Sequence, residues 1–317
     1  MIGQAIAAFG KTPGMGDFLR VGSAGRAGEC FDQWIQQGLA HAEARRGPGW
    51  TEAYAAGAPW AFIFRPPSSV GTQGLVGVMQ PSVDAVGRRY PLVVCAAAPC
   101  RVPWPHVLPL AFGEFLDGAA SVLLDPGVQA SAAHMQAALS HVPPPALHHA
   151  DLSARDYELW AASTPLRQAW SILYAEPDLA PAQALYTIAE AVAPFRGEDA
   201  PETRLALRLP LGVGGAAAAA FWIDMVRRLS RSPNEVRSCF WSSDGRTGTM
   251  LLQLGTTPPS SFGELWAPDP DSEHVCELTV SAVTDSRPLL ARAAPAVADV
   301  MQAPGALVND LIARLVA

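Results

Sequence analysis

Apolar and polar positions alternate along this chain in two distinct rhythms. Between Ala27 and Arg46, Phe31, Trp34, Ile35, Gly38 and Leu39 fall at helical spacing, with Asp32, Gln33, Gln36 and Gln37 opposite. That pattern predicts an amphipathic helix, stopped at Gly47-Pro48-Gly49. Trp60–Phe64, Leu75–Met79 and Leu92–Ala97 are short apolar runs bounded by Pro and Gly, and they read as buried strands. Runs apolar on both sides imply a sheet covered on both faces. A second helix is predicted over Ala111–Leu124, and further helical segments over Tyr157–Tyr174, Pro181–Val192 and Ala216–Leu229.

Arg204–Leu209 alternates, as a half-buried strand should, and Gly212–Gly215 reads as a flexible turn. Val236–Trp241 and Thr249–Leu254 are expected strands, joined by a hairpin turn at Ser243-Asp244-Gly245. The Phe221-Trp222 and Phe240-Trp241 pairs are expected to straddle an element, one ring inside and one at a surface. Towards the end, Val275–Val283 reads as a strand, and Leu289–Met301 and Ala306–Val316 read as helices. The proline-rich stretch 141–149 and the Pro268–Asp271 stretch are breaks, giving regions 1–140, 141–271 and 272–317. Interleaved strands and helices place the chain in the α/β or α+β class.

Composition narrows the functional classes. Half of the 317 residues are apolar and 16% are charged, enough for a sizeable core. The net charge of −7 argues against nucleic-acid binding, which needs a concentrated basic surface. Five scattered cysteines include no CxxC pair, so neither a zinc ribbon nor a disulfide scaffold is expected, and a reducing compartment fits best. The first residues do not read as a secretory signal, and no apolar stretch reads as a simple membrane-spanning helix. The seven histidines read as surface or loop residues; His148-His149 is the one cluster, and no metal is expected.

Two local strings carry the candidate chemistry. The first is Phe9–Leu19, FGKTPGMGDFL. Its Gly-Lys-Thr suggests a phosphate loop, but Ala5 stands where that motif needs its first glycine. Its residues alone read as a tight turn after an edge strand, with Asp17 capping a helix or pairing with an arginine. The second string, Met79–Leu92, MQPSVDAVGRRYPL, should be a loop between two strands. Ser82 and Asp84 lack a nearby histidine in sequence, and the chain contains no G-x-S-x-G elbow.

Taken in order, these strings resemble the TagF/ImpM family of type VI secretion. The residues that carry the resemblance are Gly10, Lys11, Pro13, Gly16, Asp17 and Phe18, followed by Phe31, Asp32 and Trp34. Ala58, Pro59, Trp60 and Phe62 come next, and Pro81, Ser82, Asp84, Gly87, Arg88, Tyr90 and Pro91 complete the set. The resemblance is specific across residues 9–100 and weaker beyond, and residues 272–317 extend past it. It implies a three-layer α/β/α sandwich around a mixed sheet. It also implies a cytoplasmic, non-catalytic accessory protein that represses type VI secretion after translation by binding a forkhead-associated scaffold protein. No catalytic residue, metal or cofactor comes with the family. Two alternatives stay open: a small-ligand-binding or hydrolytic protein using Lys11, Asp17, Ser82, Asp84 and Arg88, and a structural adaptor of the secretion assembly. If the two loops meet, Asp17 is expected to pair with Arg88 or Arg89.

Overall fold

The computed structural model describes residues 5–47, 49–198, 201–243, 247–280 and 285–315. Its strands are β1 (Ile6–Gly10), β2 (Leu19–Val21), β3 (Trp60–Phe64), β4 (Gln73–Gln80), β5 (Leu92–Pro99), β6 (Ala206–Pro210), β7 (Cys239–Ser243), β8 (Gly248–Gln253) and β9 (Val275–Glu277). They form one nine-stranded sheet in the order β2-β1-β5-β4-β3-β7-β8-β6-β9. Neighbours run antiparallel except β6 and β9, which are parallel, so the sheet is mixed. β1 is interior rather than an edge, because the three-residue β2 pairs along its outer side.

Both faces are covered, which explains why the strands lack polar alternation. On β3, Phe62 and Phe64 enter one core while Ile63 enters the other. β5 divides likewise, with Val93 and Cys95 on one side and Leu92, Val94 and Ala96 on the other. The smaller core lies under the helices Gly25–Arg46, Gly49–Ala55 and Ser260–Trp266. The larger lies under Gly113–Leu124, Ala150–Ser163, Leu166–Leu173, Ala180–Val192, Gly215–Leu229 and the C-terminal helices. The result is a three-layer α/β/α sandwich.

Several elements differ from the sequence reading. The helical stretch expected over Tyr157–Tyr174 is two helices, Ala150–Ser163 and Leu166–Leu173, because Thr164 precedes Pro165 and is extended (φ −93°, ψ 122°). Leu289–Met301 splits in the same way at Ala294-Pro295 into Arg287–Ala293 and Pro295–Gln302. β6 is buried throughout rather than half-buried, and its one charged side chain, Arg208, is internal. Arg208 pairs with Glu264 at 2.8 Å and with Glu277 at 3.1 Å. β7 starts at Cys239, three residues later than expected. β9 ends at Glu277; residues 281–283 of that expected strand lie outside the described residues, as do Asp244 and Gly245 of the expected hairpin turn.

The paired aromatics also differ. Phe240 and Trp241 do face opposite sides of the sheet, yet both are buried because each side has its own core. Phe221 and Trp222 both enter the larger core. His106, expected near the surface, is 4% exposed. Burial pushes the Cys95 and Cys239 thiols up to about 12, so both behave as small hydrophobes. No single helix among the described residues is long and apolar enough to cross a membrane.

Candidate functional site

The two strings meet at one end of β1 and β5. Antiparallel pairing of these strands places Phe9 opposite Val93, so the loop leaving β1 lies against the loop entering β5. Gly10 turns there with φ 134°, and a Cβ at this position would come within 2.1 Å of the Pro91 carbonyl oxygen. Only glycine permits that approach. The backbone of one loop then bonds the other, with Ala85 N–H donating to the Met15 carbonyl at 3.0 Å.

Asp84 is the centre of the contact. Its side chain is fully buried and accepts from Lys11 Nζ at 2.8 Å and from Arg88 Nε at 2.6 Å. Its other carboxylate oxygen accepts from the backbone N–H groups of Arg88 at 2.8 Å and Val86 at 3.1 Å. Gly87, with φ 86°, closes this turn and donates to the Asp84 carbonyl at 2.9 Å. Arg88 reaches on to the Gly16 carbonyl, tying the second string back to the first. Burial works against the Asp84 charge, but the hydrogen bonds from Lys11, from the backbone and side chain of Arg88 and from Val86 outweigh it. They hold the carboxyl well below the usual carboxylate range.

Asp17 takes no part in this clasp. It is exposed and forms no ion pair among the described residues. The acid expected at Asp17 is supplied by Asp84, which lies inside the same turn as Arg88 and is favoured by being four residues away. Arg89 turns instead to Glu43 on the helix Gly25–Arg46, at 2.9 Å. The Tyr90 hydroxyl donates to the Asp32 carboxylate of that helix, and the Ser82 backbone N–H donates to the Tyr54 hydroxyl at 3.2 Å. Sequence spacing did not point to Glu43, Asp32 or Tyr54 as partners, because the three reach the loop only through helix packing.

The loop surface inverts the usual distribution of side chains. Lys11 and Asp84 point inward, and Thr12 is buried with an unpaired hydroxyl. Outward stand Val86, 70% exposed, and Phe18 and Val83, each 37% exposed. Phe18 packs edge-on against Tyr90 at 5.0 Å, and the Arg20 guanidinium lies 5.6 Å from its ring centre. Pro13 and Gly16 are exposed beside them, while Pro81 is half-buried and Pro91 buried at the sheet end.

The remaining motif aromatics hold the layer behind the loops. Trp34 stacks on Phe31 at 5.3 Å and on Phe240 at 5.1 Å, and its indole N–H donates to the Pro258 carbonyl at 3.0 Å. Trp60 is buried at the start of β3. His148 and His149 pack ring to ring at 4.3 Å, and among the described residues no group of three or more His, Cys, Asp or Glu is placed to hold a metal.

These features define an α/β/α protein with a rigid loop surface locked by a buried carboxylate. Residues 7–142 match the family model described as the TagF N-terminal domain, type VI secretion system-associated. No curated protein matches the chain. Among solved structures, PA0076 from Pseudomonas aeruginosa PAO1 is similar at 18% identity and a TM-score of 0.49, over 84% of this chain and 96% of its own.

Proposed function

We propose that this protein is a non-catalytic regulator that restrains type VI secretion by binding a protein partner through its clasped loop surface. The observation that carries the reading is the inversion at the two loops. Lys11, Asp84 and Arg88 are engaged with one another, which leaves Asp17 as the one unpaired carboxylate of the two strings among the described residues, and apolar Phe18, Val83 and Val86 face outward. Saturated polar groups with exposed, preordered apolar side chains suit a protein interface better than a reaction centre. The match of residues 7–142 to a type VI secretion-associated family supplies the setting. The partner is the forkhead-associated scaffold protein that the family resemblance implies, met in the cytoplasm.

Val86→Glu and Phe18→Glu test this directly. Val86 is 70% exposed, so Val86→Glu should change stability by no more than about 0.5 kcal/mol, whereas Phe18→Glu also gives up the packing on Tyr90 and should cost more, about 1 kcal/mol. Capture of the scaffold protein from native cytoplasm should fall at least about tenfold, the loss of about 1.4 kcal/mol of binding. Secretion should rise towards the level of a deletion strain. Unchanged capture and secretion in both variants would remove the surface from consideration. Loss of capture with unchanged secretion would indicate an adaptor. Calorimetric heat with ATP, GTP or a cyclic dinucleotide, abolished in Lys11→Ala, would overturn the non-catalytic reading.

A further inference from the structure

The helix Ala150–Ser163 buries one face and leaves an apolar ridge on the other. Ala150, Ala154, Tyr157 and Ala161 enter the larger core. At about 100° per residue, Leu152 and Leu159 fall within about 20° of each other and directly opposite that buried line. They are 58% and 69% exposed. Two leucines one heptad apart, both aimed at solvent, have the spacing of a helix-pairing seam.

The flanking charges decide what the ridge fits. Arg155 and Asp156 lie midway between the leucines, about 50° to either side of the ridge. Both are exposed, and neither forms an ion pair among the described residues. The face is therefore self-complementary in one orientation. Against a second copy related by a two-fold axis parallel to the helix, each leucine meets its own counterpart. Each Arg155 then faces the other copy's Asp156. Turning one helix end for end would instead set Arg155 against Arg155 and Asp156 against Asp156, a like-charge contact on both sides.

We propose that the helix Ala150–Ser163 is a self-association surface, pairing in parallel with the same helix of a second copy about a two-fold axis. One helix face is a small contact, so the dimer is reversible and forms at about micromolar concentration or above. The exposed ion pairs fix orientation more than they add strength. None of these residues belongs to the clasped loops, so the proposal does not depend on the function assigned there.

Sedimentation velocity of the full-length protein from about 1 to 500 µM tests it. The weight-average sedimentation coefficient is expected to rise with concentration towards that of a dimer. Leu159→Lys places like charges face to face and should raise the dimer Kd at least about tenfold. Arg155→Glu and Asp156→Arg should each weaken association about threefold or more, and the two together should restore it. All three positions are exposed, so the urea midpoints of the variants should match that of the unaltered protein. A monomer throughout the concentration range would overturn the proposal, as would a dimer that Leu159→Lys leaves intact. A dimer indifferent to both single charge reversals would overturn the parallel pairing, because end-for-end contacts only exchange one like-charge pair for another.

Discussion

His106 is buried against the helix Gly215–Leu229, with its ring 5.0 Å from Tyr157 and its Nδ1 unpaired. Burial lowers its pKa from 6.5 to about 4; Asp224 opposes the shift, and Arg227 and Arg228 reinforce it. Asp224 itself is fully buried but stays ionised, bound by Arg227 at 2.5 Å, Arg228 at 3.0 Å and the Tyr157 hydroxyl at 3.2 Å. Between pH 6.5 and 4 the unfolded chain therefore binds a proton at His106 that the native protein does not. This contribution to stability is intact above pH 6.5 and is lost as the pH falls towards 4, by about 3 kcal/mol in all. Urea unfolding at pH 7 and pH 4.5 should show most of that loss, and His106→Gln should flatten the dependence. An equally steep fall in His106→Gln would refute the assignment. Sequence spacing did not indicate this network, since Tyr157 and His106 meet Asp224 only through three packed segments. Asp84 and Asp17 teach the same lesson: which of two acids joins Arg88 depends on the turn that Gly87 closes.

Short elements were legible where one physical rule dominated. Trp60–Phe64 has the bounds its composition predicts, because an apolar run between Pro59 and Arg65-Pro66 has few alternatives as a covered strand. The expected helix over Ala27–Arg46 was likewise legible from its stripe. Helices expected across Pro165 and Pro295 were overextended, although the restriction on the residue before proline already stood in the sequence. Arg208 misled for a different reason: alternation marks solvent only if nothing charged waits behind the sheet, and Glu264 does. At the C-terminus, Val308, Leu311, Ile312 and Leu315 turn their stripe into the protein's own larger core. Leu307 occupies the N-cap position of that helix, and its backbone N–H donates to the Asp310 carboxylate at 2.8 Å. The Leu166 N–H bonds the Ala306 carbonyl at 2.8 Å and the Val308 N–H bonds that of Thr164 at 3.0 Å, so the segment is stitched in by backbone as well. Leu311→Ala should therefore cost about 2–5 kcal/mol in urea unfolding, and deleting residues 304–317 should give insoluble protein. Full stability of both, with loss of partner capture, would instead make this helix the recognition element.

At the scale of the whole molecule, the match to the TagF N-terminal domain stops at residue 142, but the sheet does not. β3, from the matched part, pairs with β7 from the remainder through Ala61–Trp241, Phe62–Phe240 and Ile63–Cys239. Both cores also mix residues from the two parts: Trp34 stacks on Phe240, and Ile63 shares a core with Leu252. Arg46 adds a charge-assisted bond to Glu264 at 2.6 Å. A fragment ending at residue 142 would expose β3, WAFIF, along its full hydrogen-bonding edge and uncover Phe31, Trp34 and Phe62 beside it. Such an apolar edge is a template for pairing with another chain. Expressed alone, residues 1–142 should therefore precipitate or run as a high-mass species in size-exclusion chromatography. Co-expression with residues 143–317 should return a soluble 1:1 complex with the far-ultraviolet circular dichroism of the intact protein. A monomeric 1–142 fragment with dispersed amide NMR signals would mean that the seam between β3 and β7 is dispensable. Partner binding could then be mapped on the fragment alone; if the seam is needed, the clasped loops must be tested in the full chain.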